Sequence, residues 1–220
     1  MNVKQVVVVG AVLLALGLGG FFFVNSQDVV PEINTPGVRT FAKPVPVPQF
    51  TLHDNKGAVF NEARFEDKWS IVFFGYTNCP DLCPTTMSLM NVVANKLEKS
   101  PGGLDDVQFV FVSVDPYRDD FDKLDEFVSY FNKAFIGTTG EKGELDQLAL
   151  ELGGIYDFED SETHDLIDDV TQLGKDAEYL VTHYAALMVI DPKARLVAHI
   201  LPPHEIDKTL QTFNTLRGVE

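Results

Sequence analysis

The chain holds two cysteines, Cys79 and Cys83, within Gly75-Tyr-Thr-Asn-Cys-Pro-Asp-Leu-Cys-Pro84. Thiols at this spacing can converge on one soft metal ion or oxidise to one disulfide. A Cys-x3-Cys spacing is wider than the Cys-x2-Cys of disulfide oxidoreductases, and Pro84 disfavours helical geometry at Cys83, so the pair belongs in a loop or a first helical turn. Helix amides near Cys79 favour its thiolate, which helps metal binding and nucleophilic attack alike. Closing so short a loop stabilises little and invites strain, which argues against a purely structural disulfide. Copper(I) is soft and prefers thiolate and imidazole, so a histidine must join the thiols in space.

Five histidines are available. His53 lies in the turn of an early hairpin and His204 opens the last helix, both read as surface positions. His164 falls in an acidic segment and His199 on a late strand. His183 differs, because Val181-Thr-His-Tyr184 is where the chain enters a central strand, although taken alone it reads as an ordinary core or surface histidine. Asp115 reads as a helper or partner-contact residue, or equally as a helix cap, and stays outside the ligand set. Thr77, two residues before Cys79, admits a thiol-peroxidase reading, which the lack of an arginine-bearing motif disfavours.

The elements that must position these groups follow from the pattern. Ser70 to Tyr76 and Val107 to Val114 are apolar, β-rich runs that predict buried strands. The amphipathic run Thr85 to Lys99 predicts a helix between them, and Phe121 to Phe131, Lys142 to Leu152 and Glu205 to Leu216 predict three more. Phe50 to Leu52 and Ala58 to Phe60 flank Asn55-Lys-Gly57, a hairpin. Ala134 to Gly137 predicts a short strand, and Tyr184 to Ile190 with Leu196 to Ile200 a second hairpin. This order is α/β, a mixed sheet flanked by helices, and suits a thioredoxin-like fold.

Ahead of the domain runs the chargeless apolar stretch Val6 to Val24. As a helix it is roughly 28 Å long, close to the hydrocarbon thickness of about 30 Å, and no small-x-small cleavage site precedes Asn25. The reading is a retained transmembrane anchor over 1–24 with Lys4 on the cytoplasmic side, and a Pro-rich spacer over 25–48. A single domain then fills 49–220. Outside a bacterial inner membrane lies the periplasm, where thiols are kept oxidised unless reduced or metallated. Asp157 to Glu178 carries nine acidic residues and one lysine, which predicts a solvated insertion, helical around Leu166 to Leu173. The net charge of −16 disfavours nucleic acid as a partner, and nothing demands more than a monomer.

The cysteine segment, Ser113-Val-Asp-Pro-Tyr-Arg-Asp119 and His183 together resemble the Sco/SenC family of copper chaperones for cytochrome c oxidase assembly. The resemblance covers about Val47 to Leu216. It implies an anchored thioredoxin-like domain that binds copper, as Cu(I) or Cu(II), through Cys79, Cys83 and His183, and that delivers copper to, or prepares, the dinuclear copper site of cytochrome c oxidase subunit II. The alternative is a thiol–disulfide oxidoreductase that reduces that subunit's cysteines. Two features depart from the family pattern: Thr182 stands where an aspartate often precedes the histidine, and the 157–178 segment is longer than usual.

Overall fold

The computed structural model describes residues 30–173 and 177–219, so the anchor read over 1–24 lies outside the described residues. Among the described residues, no helix is long and apolar enough to cross a membrane. In chain order the strands are β1 (Val38–Pro46), β2 (Leu52–Asp54), β3 (Val59–Phe60), β4 (Trp69–Gly75), β5 (Val107–Ser113), β6 (Ile136–Thr139), β7 (Tyr156–Asp160), β8 (Tyr179–His183), β9 (Leu187–Asp191) and β10 (Arg195–Ile200). The helices are α1 (Leu82–Glu98), α2 (Phe121–Phe131), α3 (Lys142–Leu152) and α4 (Ile206–Arg217).

Eight strands form one mixed sheet in the order β1-β10-β9-β4-β5-β6-β2-β3, and β7 and β8 form a separate two-stranded ribbon. The centre is parallel: β4 pairs β5 from Trp69↔Val107 to Gly75↔Ser113, and β5 pairs β6. Strands buried on both faces need apolar residues throughout, and Ile71 to Phe74 with Val110 to Val112 supply them, none more than 1 % exposed. Successive side chains alternate between faces. Phe73 points toward Phe111 and the thiols, and Phe74 lies on the opposite face against Gly154, at the end of α3. On the Phe73 side, α1 packs between α4 and α2.

Local chemistry fixes the hairpin between β9 and β10. The Asp191 carboxylate accepts from the amides of Lys193 and Arg195, each at 3.0 Å, while its other oxygen takes the Arg195 guanidinium at 2.6 Å. Ala194 takes the left-handed conformation at φ 53°, a position that glycine often fills.

Several expectations are corrected. The spacer assigned to 25–48 does not run so far, because Val38–Pro46 is a strand on the edge of the sheet, paired with β10. Prolines survive there because an edge strand leaves one side of its backbone unpaired, and the register shifts between Thr40 and Val45, where Pro44 falls. The short strand begins at Ile136 rather than Ala134, and the helix expected over Thr85 to Lys99 begins three residues earlier at Leu82 and takes in Cys83. Within 157–178 the expected helix is reduced to a single 3-10 turn, Val170–Gln172. The segment instead opens as β7, whose alternating Tyr156 and Phe158 turn inward while acids occupy the other face. His53 lies within β2 rather than in a turn.

Candidate metal centre

The site forms at the carboxyl ends of β4 and β5, where parallel strands of α/β sheets present their loops. β4 ends at Gly75, a short loop carries Cys79, and α1 begins at Leu82 with Cys83 as its second residue and Pro84 as its third. A proline in a first turn costs no hydrogen bond, because that amide lacks an intrahelical acceptor. Both thiols are free, Cys79 partly exposed and Cys83 buried. The Cys83 amide at the helix start points to Cys79 Sγ, 3.4 Å away.

This geometry separates the two sulfurs chemically. The Cys83 thiol bonding to Cys79 holds the Cys79 thiol well below the ordinary range, with His183 and the amides of Cys83 and Asp81 adding to the effect against burial. Cys83 moves the other way, pushed up first by its bond to Cys79, then by burial, then by the negative charges of Cys79 and Asp119. Cys79 is therefore the sulfur that ionises first, with Cys83 as its hydrogen-bond donor.

His183 closes β8 and reaches the same place, with Nε2 3.6 Å from Cys83 Sγ. Phe73 and Tyr76 meet its ring edge-on, at centroid separations of 5.7 and 6.4 Å. Its Nδ1 is buried and has no hydrogen-bond partner among the described residues, and Thr182 is exposed. Burial lifts the Tyr76 phenol to about 12, so it stays neutral beside the thiolate. Among the described residues, no three His, Cys, Asp or Glu groups already stand at metal-binding positions. The donor types nonetheless fit a soft ion. A thiolate and an imidazole sharing one ion at roughly 2.0–2.3 Å each stand about 3.5–3.8 Å apart, which is the separation between Cys83 and His183.

The sequence assigns no role to two contributors, Gly75 and Asp119, and leaves a third, Asp115, between two. Gly75 lets Cys83 tuck beneath β4, since a Cβ there would lie 2.9 Å from its sulfur; a glycine inside a buried apolar strand was the available signal. Asp119, 1 % exposed, accepts from the Thr77 amide at 2.8 Å, the Thr77 hydroxyl at 2.5 Å and the Ser113 hydroxyl at 2.6 Å, and so fixes the start of the thiol loop. Burial raises its carboxyl above the usual range against those three bonds. Asp115 is fully buried and does not cap α2, a task that falls to Asp120, whose carboxylate accepts from the Lys123 amide at 2.9 Å.

The other histidines stay apart from the thiols. His199 is buried and donates to the Leu152 carbonyl at 2.9 Å. His204, expected at the surface, is half-buried and donates to the Ala185 carbonyl at 2.8 Å. His164 takes a left-handed conformation, φ 61°, and lies 3.7 Å from Glu159.

A mixed sheet flanked by helices, with a thiol pair and an imidazole at the ends of its parallel strands, defines a thioredoxin-like protein with a soft-donor site. The SCO1/SenC family model matches residues 40–217, and the chain belongs to that family. It is 31 % identical over 161 residues to a Stutzerimonas stutzeri protein named for copper binding, covering 73 % of this chain and 72 % of that one. Among solved structures, it is similar to apo Sco1 from Thermus thermophilus, at 30 % identity and a TM-score of 0.68 over 84 % of this chain and 99 % of the other. Copper-bound ScoI from Arabidopsis thaliana matches at 28 % identity and a TM-score of 0.67, over 78 % and 98 % of the two chains.

Proposed function

We propose that this protein is a copper-handling assembly factor that binds copper through Cys79, Cys83 and His183. The observation that carries the reading is the 3.6 Å separation of Cys83 Sγ and His183 Nε2, with the Cys79 sulfur beside them at a helix start. Copper-bound structures among its relatives support the choice of metal. Two thiolates and a neutral imidazole would leave a Cu(I) site with one net negative charge and a Cu(II) site neutral. The client is the dinuclear copper site of cytochrome c oxidase subunit II, to which the protein delivers copper or which it prepares for loading; the Sco family is named for oxidase assembly. Val6 to Val24 anchors the chain in a bacterial inner membrane and the domain works in the periplasm as a monomer.

Titration of the purified, reduced full-length chain with copper tests this. One equivalent binds tightly with sulfur-to-copper charge-transfer absorption, and His183→Ala weakens the binding while Cys79→Ala or Cys83→Ala abolishes it. Full binding by His183→Ala removes the ligand set.

A second reading has its own observation. Cys79 is a partly exposed thiolate backed by a buried thiol, the order that disulfide exchange requires. Cys79 would attack a client disulfide, forming a mixed disulfide and releasing one client thiolate. Cys83 would then lose its proton and attack Cys79, leaving a Cys79–Cys83 disulfide and a fully reduced client. Failure of the metal-free dithiol protein to reduce a disulfide peptide refutes this role.

A further inference from the structure

The turn Asp115-Pro-Tyr-Arg-Asp119 follows β5 and grips both halves of the site with different side chains. Its backbone is closed on itself, with the amides of Arg118 and Asp119 donating to the Asp115 carbonyl at 3.3 and 3.0 Å. Asp119 holds the thiol loop through Thr77. Asp115 faces the other way. Its carboxylate accepts from Arg118 Nε at 2.5 Å and from the Tyr179 hydroxyl at 2.7 Å. Arg118 Nη1 donates to the Tyr179 carbonyl at 3.0 Å, and its guanidinium lies 3.5 Å from the centroid of the Tyr179 ring.

Tyr179 opens β8 and His183 closes it. The ribbon of β7 and β8 stands outside the large sheet, so ladder bonds to the body of the protein do not place it. A metal-binding histidine is ordinarily oriented by a hydrogen bond at its second nitrogen. His183 Nδ1 has no such partner among the described residues, so the orientation of its ring rests on the edge contacts of Phe73 and Tyr76 and on the placement of β8.

We propose that the 115–119 turn is a positioning device, in which Arg118 and Asp115 fix β8, and with it the His183 imidazole, against a thiol loop that Asp119 fixes independently. Its consequence for copper rests on the copper-site reading above; the clasp itself belongs to the metal-free chain. Arginine suits the task because a planar fork can bond a carboxylate and a carbonyl while stacking on a ring, which a lysine ammonium cannot do together.

The test is amide hydrogen exchange on the reduced, metal-free full-length chain, followed by Cu(I) titration. Asp115→Asn with Arg118→Met removes both buried charges together, and Tyr179→Phe, a milder change, removes only the phenol bond. In the double variant the amides of β8 should exchange at least about tenfold faster, with a smaller rise for Tyr179→Phe, while the Thr77 amide is unchanged. Asp119→Asn should free the Thr77 amide and leave β8 protected. Cu(I) affinity of the double variant should fall by about as much as in His183→Ala, and Arg118→Lys should not restore it. If the double variant fails to fold, Tyr179→Phe and Arg118→Lys carry the comparison. Protected β8 amides in these variants, equal acceleration across the whole core, or loosened β8 with undiminished Cu(I) affinity would each overturn the proposal. Absence of copper binding by the unaltered protein would instead remove the copper reading, and the exchange data would still decide the clasp.

Discussion

Adding one methyl group at Gly75 puts the close approach of β4 to the thiols under direct test. A Cβ at this position would lie 2.8 Å from Phe111 Cε2, 2.9 Å from Cys83 Sγ and 3.3 Å from Phe73 Cε1. Ordinary contact begins near 3.4 Å, so the sulfur must retreat by about half an ångström. Phe73, Phe111 and Cys83 are all 0 % exposed, so each must yield within the core rather than toward solvent. Overpacking of this kind costs about 1–3 kcal/mol, offset by about 0.5–1 kcal/mol from the lower chain entropy of alanine in a strand. Gly75→Ala should therefore lower stability, by up to about 2.5 kcal/mol, and weaken copper binding, because the displaced sulfur leaves its matched distance to His183. Urea denaturation reports the first effect. The single tryptophan, Trp69, packs edge-on against buried Phe213 at 6.0 Å and makes a core fluorescence probe. Gly143→Ala is the control: nothing lies within 4 Å of its Cβ, it sits in the first turn of α3, and helix propensity should raise stability by up to about 1 kcal/mol. A Gly75→Ala protein as stable as the unaltered chain, with unchanged copper affinity, would refute the packing argument.

Because the Cys79 thiol is held down chiefly by Cys83 and then by His183, iodoacetamide should label Cys79 near pH 5, where an ordinary thiol is inert. Cys83→Ala should shift that labelling profile upward more than His183→Ala does; the reverse order would contradict the assignment of causes. Burial lowers the folded-state values of His199 and His204, so protonation favours the unfolded chain, and their contribution to stability, complete above about pH 6.5, is lost as pH falls through the depressed folded values. The urea midpoint should fall between about pH 7.5 and pH 5, and His199→Gln with His204→Gln should flatten that dependence; an unchanged slope would exclude these histidines as its source. Shortening the chain to begin at Phe50 deletes β1 and bares the edge of β10, which should lower the urea midpoint and promote self-association relative to a chain beginning at Val30; sedimentation that shows both proteins monomeric and equally stable would count against β1 as part of the domain.

The sequence was most legible where one physical signal dominated. Helices α2 and α3 fall on the expected residues because their apolar spacing is regular, and β4 and β5 are near-continuous apolar runs. β1 was read as spacer because its prolines outweighed its alternation, and only its edge position makes them harmless. β7 was hidden by its own acids and β8 by the acidic run just before it, although Tyr156 and Phe158, with Val181 and Tyr179 on the facing strand, carry the inward pattern of a ribbon. At the site, the thiols and His183 were visible from residue type, spacing and family resemblance. Asp115 and Asp119 were not placed, since what a buried carboxylate does depends on partners distant in sequence: Asp115 meets Tyr179, 64 positions away, and Asp119 meets Thr77, 42 positions away.

The asymmetry between the two sulfurs joins both proposed activities to one geometry. Under the copper reading, Cys83 would have to give up its proton, and its ionisation is opposed by its bond to Cys79, by burial and by the nearby charge of Asp119, whereas Cys79 ionises the more readily. On the proposed ligand set, metal capture would begin at the partly exposed sulfur and finish inward, where the buried sulfur and His183 meet. Disulfide exchange begins at the same exposed sulfur and also finishes at Cys83. On these proposals the two processes would compete for Cys79, so that bound copper would suppress exchange and a Cys79–Cys83 disulfide would bar copper until it is reduced. Any chain of events that uses both must place reduction of the client before metal loading, with the protein's own thiols restored in between.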